Sequence, residues 1–209
     1  MTSANSIFTG SVGAFVLYAV YAMFSQNAVL GRALGSSRLT KLINDEDGDT
    51  GIFSLLLLTV QLLSGVVGWA ANRWVLPLLG SLRTHFRPLV LVVCVSLTFF
   101  VVFLLVVELF PGELARRVVR QLPIAAYNCC IMGTLLLTGA QNYTLWQTLA
   151  FSLGSALGFM AAILLLSEGN RKLKSADLPV SFRGLPATLV YLGILSLMIY
   201  GLTGHSLAV

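Results

Sequence analysis

The chain of 209 residues is 57% hydrophobic and only 10% charged, with a formal net charge of +5. Long apolar stretches alternate with short segments that hold nearly all of the charges. A soluble helical bundle of this length could not bury several such stretches, so the composition predicts an all-α integral membrane protein. The positive charge is spread over segments beside the apolar stretches, which fits attraction to a lipid bilayer better than nucleic-acid binding.

The apolar stretches have the length of membrane-spanning helices. About 20 apolar residues cross roughly 30 Å of hydrocarbon as a helix, and a helix satisfies all of its backbone hydrogen bonds within lipid. We predict six transmembrane helices, at residues 7–25, 51–70, 88–110, 121–140, 145–167 and 184–202.

The basic residues predict the orientation, because Lys and Arg accumulate in cytoplasmic loops. The first, third and fifth of the predicted loops hold ten of the thirteen basic residues, and the opposite face has only Arg73, Arg83 and Arg87. The pattern therefore predicts a multi-pass protein with those three loops in the cytoplasm and both termini outside.

The two halves of the chain resemble each other faintly. Asn27 and Asn128 lie 101 positions apart, and each has a glycine a few residues on, Gly31 and Gly133. Three helices in each half bring the second copy into the membrane from the other side. Inverted repeats of this kind have their functional centres at interrupted helices near the midplane.

We therefore predict one membrane domain over residues 1–209, built from inverted three-helix repeats at about 1–110 and 111–209, with interrupted first and fourth helices. The four Asn and Gly positions are the candidate sites of interruption. A simpler interpretation also accounts for the pattern in the fourth helix. There, Asn128 makes an interhelical hydrogen bond and Pro123 is a tolerated kink.

The sequence has three cysteines, and they offer little for metal binding on their own. Cys94 lies in an apolar stretch and is most simply a small buried residue. Cys129 and Cys130 are adjacent, so on a helix they point about 100° apart and cannot both face one metal. The sequence shows no dinucleotide or Walker motif, so any chemistry beyond ion or electron passage requires partner chains.

Several of these segments resemble a known family of membrane proteins. The matching stretches are residues 176–184, with Gly154 and Gly158 before them, and residues 123–133, which follow the pattern Pro-x4-Asn-Cys-x3-Gly. They resemble the family that includes the RnfA component of the Rnf complex and the NqrD and NqrE components of the sodium-pumping NADH:quinone reductase. The resemblance covers the chain from about Asn27 to its C-terminus and is strongest after Gln121.

The resemblance implies a two-iron, two-sulfur cluster held jointly with a homologous six-helix partner subunit. In the family, cysteines from both interrupted helices bind the cluster, and Cys129 falls on the second of these positions. Ser37 stands at the first, followed by Arg38 where the family has proline. A serine hydroxyl is a poor substitute for thiolate on iron, so the cluster site is weakened relative to the family pattern.

The resemblance thus favours a membrane subunit of an Rnf-type ion-translocating oxidoreductase, assisting electron transfer coupled to Na+ or H+ movement, with no complete active site on this chain. Two alternatives stay open. The first is a small-solute or ion carrier that uses Asn27 and Asn128 as its polar groups, and the second is a purely structural partner of a redox subunit.

Overall fold

The computed structural model describes residues 2–36, 50–109, 112–175, 179, 182 and 184–203. Within these residues the chain forms seven α-helices and no strand. They are α1 (Thr2–Met23), α2 (Thr50–Ala70), α3 (Arg83–Leu109), α4 (Glu113–Ala126), α5 (Cys129–Ala140), α6 (Leu145–Ser175) and α7 (Leu185–Thr203). A π-helical turn, Ala71–Val75, and a 3-10 segment, Leu76–Leu82, connect α2 to α3.

The prediction of an all-helical membrane protein is confirmed. The described residues contain four or five helices that could span a membrane, whereas the sequence predicted six. Four of the described helices are long and apolar enough to cross a membrane. A fifth span exists if α4 and α5, which meet at a 48° bend, together make one crossing. The described apolar part of α1, Val12–Met23, is shorter than a span.

Helix bounds differ from the predicted spans where polar or proline residues occur. Helix α3 begins at Arg83, ahead of Pro88, and α4 begins at Glu113 rather than at residue 121. Helix α6 continues through polar residues to Ser175. In that extension Glu168 and Arg171 form an exposed ion pair at 2.8 Å. The hydropathy of the sequence therefore located the apolar part of this helix but not its C-terminal end.

Helices α2 and α6 lie at the centre of the packing. Helix α6 packs against α1 and α2, and α2 also contacts α3, α4 and α5. Glycines allow the closest approach, since a Cβ added at Gly154 would overlap the Ala19 carbonyl oxygen of α1. Small residues at helix interfaces are the usual means of close packing in membranes. The crossing of α1 and α6 therefore depends on this glycine.

The outer faces of α3 and α7 are apolar and exposed. Leucine, valine and phenylalanine side chains cover them, among them Val93, Leu97, Phe100, Leu189, Ile194 and Leu197. Bilayer hydrocarbon is the natural surrounding for such surfaces. The buried polar side chains instead lie in the interior, among them Asn27, Gln61, Asn128 and Ser155.

Candidate functional site

We call the series of turns that follows α1, at residues 24–36, the first interruption; Asn27 organises it. Helix α1 ends at Met23, and the chain then makes a series of turns up to residue 36. The Asn27 Oδ1 accepts hydrogen bonds from the backbone N–H groups of Val29 and Leu30, at 2.9 and 3.0 Å. An asparagine in this position caps the following turn, as it does at a helix N-terminus.

The amide nitrogen of Asn27 also has partners. It donates to the carbonyl oxygen of Met23 at 2.8 Å and to that of Gly158, on α6, at 3.2 Å. Gly158 leaves the space for this contact, because a Cβ there would lie 2.9 Å from the Asn27 Nδ2. Asn27 therefore ties the end of α1 to the middle of α6, and its side chain is fully hydrogen-bonded.

The second interruption separates α4 from α5. The Tyr127 N–H bonds back to the Pro123 carbonyl at 3.1 Å, and Asn128 then adopts an extended conformation, with φ −85° and ψ 136°. The Asn128 Oδ1 caps α5 by accepting from the Cys130 N–H at 3.1 Å. The Tyr127 hydroxyl donates to Ser96 of α3 at 3.1 Å. Both interruptions are thus built around a capping asparagine.

The two asparagines differ in their second polar atom. The Nδ2 of Asn128 is buried and has no hydrogen-bond partner among the described residues. Asn27 uses its Nδ2 twice. A buried donor without an acceptor costs about 1–3 kcal/mol, so the second interruption is the less satisfied of the two.

The structure brings the two interruptions into contact. A Cβ added at Gly35 would lie 2.8 Å from the Asn128 Oδ1 and 2.9 Å from the ring of Phe159. Gly35 also has φ +79°, a conformation that favours glycine. Beside it, Leu34 packs onto Gly133, where an added Cβ would overlap the Leu34 side chain. The segment after Asn27 therefore lies directly on the start of α5.

The adjacent cysteines at this junction point in different directions. Cys129 is exposed, and it borders a hollow of about 270 Å³ that is lined mostly by apolar side chains, including Leu34, Val95, Met132 and Leu136. Cys130 is buried, with its Sγ 3.7 Å from the Ser155 Oγ of α6. Of these two thiols, only that of Cys129 can therefore reach a group outside the chain.

A buried polar cluster continues inward from Cys130. Gln61 of α2 donates to the Thr134 Oγ1 at 3.0 Å, and Thr134 lies 3.0 Å from the Ser155 Oγ. Gln61 Oε1 and the neighbouring Ser152 Oγ have no partner among the described residues. These contacts join α2, α5 and α6, so the interior beneath the two interruptions is polar.

Comparison with known proteins agrees with these observations. A model of the family described as "Rnf-Nqr subunit, membrane protein" matches residues 15–206. The chain belongs to the Rnf-Nqr family. This confirms the resemblance inferred from the sequence motifs. The match includes both interruptions and the helices packed around them.

Two groups of relatives are similar in sequence to this Rnf-Nqr chain over most of its length. It is 30% identical to the E component of the Na(+)-translocating NADH-quinone reductase of Chlamydia trachomatis, over 88% of this chain and 78% of the relative. The corresponding protein of Chlamydia muridarum is 29% identical. The A component of the ion-translocating oxidoreductase complex of Shewanella piezotolerans is 28% identical, over 91% of this chain and 97% of the relative.

The ligands available for a metal in this Rnf-Nqr chain are few. No group of three or more His, Cys, Asp or Glu side chains converges within the described residues. The exposed thiol of Cys129 is a suitable soft ligand, whereas Cys130 is turned inward. Ser37, the other residue expected at the cluster, lies outside the described residues. The described part of the chain thus fits a donor of one thiolate and not a complete cluster site.

The positions predicted from the sequence separate into two sets. Asn27, Asn128 and Gly133 all lie at or beside the junction of the two interruptions. Gly31 is exposed in the turn after Asn27, and its N–H bonds to the backbone carbonyl of that residue.

Three residues that make the junction, Gly35, Leu34 and Phe159, were not among the predicted site positions. The Leu34-Gly35 pair lies in the part of the chain, from about Asn27 onward, that resembles the family. That signal could have identified it as a contact.

Proposed function

We propose that this Rnf-Nqr protein is a membrane subunit of an ion-translocating oxidoreductase complex, and that it assists transmembrane electron transfer coupled to Na+ or H+ movement. The observation that carries the proposal is the family match over residues 15–206, together with two asparagine-capped interruptions that meet in the interior. The relatives are named as subunits of such complexes.

An inverted six-helix architecture gives this site its geometry. In the proposed repeat, α1, α2 and α3 correspond to α4–α5, α6 and α7. The packing supports it, because the contact of α1 with α6 has a counterpart in the contact of α4 and α5 with α2. Likewise, α2 packs on α3 as α6 packs on α7.

Two serines extend the correspondence. Ser196 of α7 donates to the Leu30 carbonyl oxygen at the first interruption. Ser96 of α3, one hundred positions earlier in the chain, accepts from Tyr127 at the second interruption. In each repeat the third helix thus holds the interrupted segment of the opposite repeat through a serine, which supports a two-fold relation.

The proposed orientation places both termini outside a bacterial-type inner membrane.

Within this architecture, Cys129 is the residue through which the chain would take part in electron transfer. We place it as one thiolate ligand of a two-iron, two-sulfur cluster whose remaining ligands come largely from a homologous six-helix partner. When bound, such a cluster supplies one-electron transfer. The Asn128 cap fixes the backbone beside Cys129, and the exposed thiol borders a mostly apolar hollow.

The carrier alternative is less well supported by the same geometry. It needs Asn27 and Asn128 as free polar groups, but Asn27 uses both its oxygen and its nitrogen in hydrogen bonds within the chain. Of their side-chain atoms, the Asn128 Nδ2 alone is without a partner among the described residues. A single amide donor gives few contacts for binding a solute, so the electron-transfer function is preferred.

The test is anaerobic purification of the complex from cells that express this chain with its partner subunits. We expect bound iron and a reducible electron paramagnetic resonance signal, both lost in Cys129→Ser. The matched control is Cys94→Ser, which changes a buried thiol on α3 and should leave both signals unchanged. An iron-free complex with normal turnover in Cys129→Ser would exclude the redox role, and solute uptake by the chain alone in liposomes would favour the carrier.

A further inference from the structure

Two arginines, Arg73 and Arg83, line a cavity near the end of α2 that the proposed function does not use, and Arg87 lies beside it. The cavity holds about 490 Å³, and its lining includes Arg73, Arg83 and Asn72. This volume lies within the usual range of small-molecule sites. The three arginines are also the basic residues that the sequence places on the face poor in positive charge.

The arginines at this cavity lack acidic partners in the described part of the chain. No Asp or Glu occurs in residues 50–107 or 114–167 of the sequence, which build the cavity. The ion pairs found among the described residues, Arg116–Glu113 and Arg171–Glu168, lie elsewhere. Arg83 makes one long contact, from Nη2 to the Asn142 Oδ1 at 3.4 Å. Among the described residues the local charge is therefore positive and uncompensated.

Several polar atoms at or beside the cavity are buried without a hydrogen-bond partner in the described part of the chain. They are the Nε atoms of Arg83 and Arg87 and the Oδ1 of Asn72. Arg87 and Asn72 face the same spot, because a Cβ at Gly139 would lie 3.9 Å from each. Guanidinium groups bind phosphate and carboxylate through paired N–H donors, and an amide can present either its oxygen or its N–H₂ group.

The surroundings indicate a ligand with an apolar portion. Trp69 and Trp74 line the cavity and contact each other, with ring centroids 6.3 Å apart. Trp74 is 67% exposed and the nearby Leu78 84% exposed. Tryptophan is enriched at the membrane–water boundary, so an apolar surface that acyl chains can cover lies beside the charged cavity.

The phenol of Tyr143, which also lines the cavity, does not oppose an anion. Burial raises the pKa of this phenol above its ordinary value, so the side chain is neutral and can donate its hydrogen at physiological pH.

We propose that this cavity binds the phosphate of an anionic phospholipid, with Arg83 and Arg73 on the phosphate and the acyl chains against Trp74 and Leu78. The lipid is favoured over free phosphate because the exposed apolar surface adjoins the arginines. The site is separate from the junction of the two interruptions and does not depend on the function proposed for it.

The test is native mass spectrometry of the full-length chain in detergent, with added phosphatidylglycerol or phosphatidylcholine. We expect preferential retention of phosphatidylglycerol by the wild type. An arginine near an anionic lipid surface contributes an amount equivalent to about fivefold in binding, so Arg73→Gln with Arg83→Gln should lower retention roughly 25-fold. The control pair is Arg117→Gln with Arg120→Gln, which removes two exposed charges from α4 and should change retention little.

Three results would overturn the lipid site. They are equal retention of both lipids by the wild type, full retention of phosphatidylglycerol by the Arg73/Arg83 variant, and displacement of the lipid by millimolar inorganic phosphate. Loss of association with other subunits in that variant, with lipid retention unchanged, would assign the arginines to a protein contact instead. If the double variant does not fold, Arg83→Lys serves in its place. It keeps the charge but loses the paired donors, and it should show weaker retention with unchanged helix content.

Discussion

The two capping asparagines make a matched pair for a stability measurement. Serine is itself a good capping residue, so Asn27→Ser and Asn128→Ser both keep an acceptor for the following backbone N–H groups. The substitutions differ in what else they remove. At Asn27 the amide nitrogen donates to two carbonyl oxygens, at 2.8 and 3.2 Å. At Asn128 the corresponding nitrogen has no partner in the described part of the chain.

The expected magnitudes follow from these bonds. A hydrogen bond within a protein contributes about 0.5–1.5 kcal/mol net, so Asn27→Ser should lower the free energy of unfolding by roughly 1–3 kcal/mol. Asn128→Ser removes a buried donor that is not bonded, together with the cost of burying it, so the free energy of unfolding should stay unchanged or rise, by up to about 1–3 kcal/mol. Part of the loss at Asn27 reflects the link to Gly158, which joins the first interruption to α6.

The assay is reversible unfolding of the full-length chain in bicelles by added sodium dodecyl sulfate, and the measured signal is helix content. The two single variants and the double variant are compared with the wild type. Equal losses at the two positions, or a larger loss at Asn128, would refute the reasoning that the amide of Asn27 is the more fully bonded. The double variant should show about the sum of the two changes, unless the interruptions couple through their contact.

Three further changes test other parts of the structure. Gly154→Ala places a methyl group against the backbone of α1 and should lower the free energy of unfolding by about 1–3 kcal/mol. The control, Gly193→Ala, has open space around it and should raise the free energy of unfolding slightly. Equal effects of the two variants would contradict the close packing of α1 on α6. A maleimide should label Cys129 and spare Cys130 in the folded chain, as mass spectrometry of the peptides can show. Gln61→Met should change stability by less than about 1 kcal/mol, because one of its polar atoms has no partner among the described residues.

The sequence predicted the helices best where apolar residues continue without interruption. Residues 51–70 were predicted as a span, and α2 runs from Thr50 to Ala70. The third span was predicted from residue 88, and the helix that contains it, α3, begins five residues earlier, at Arg83, with Pro88 inside it. The fifth span was predicted to end at residue 167, and α6 continues past it through polar residues such as Glu168 and Arg171, because a helix can extend beyond the lipid.

The candidate site was predictable in its parts but not in its assembly. Asparagine in an apolar stretch is conspicuous, so Asn27 and Asn128 could be named from the sequence alone. The contact of Gly35 with Asn128 joins residues far apart in the chain, and no local pattern indicates it. Which of two adjacent thiols faces outward also depends on the packing of α5 against α6, which the sequence does not specify.

The candidate site depends on the two interrupted segments meeting at one place beside Cys129. Cross-linking tests this contact most directly, with Leu34→Cys and Gly133→Cys in a chain whose native cysteines are replaced by alanine. A short bifunctional thiol reagent should join this pair in high yield, as measured by mass spectrometry of the linked peptides. A control pair, Leu34→Cys with Leu164→Cys on the exposed face of α6, should remain unlinked. Equal yields from the two pairs, or no link between positions 34 and 133, would contradict the proposed meeting of the two segments.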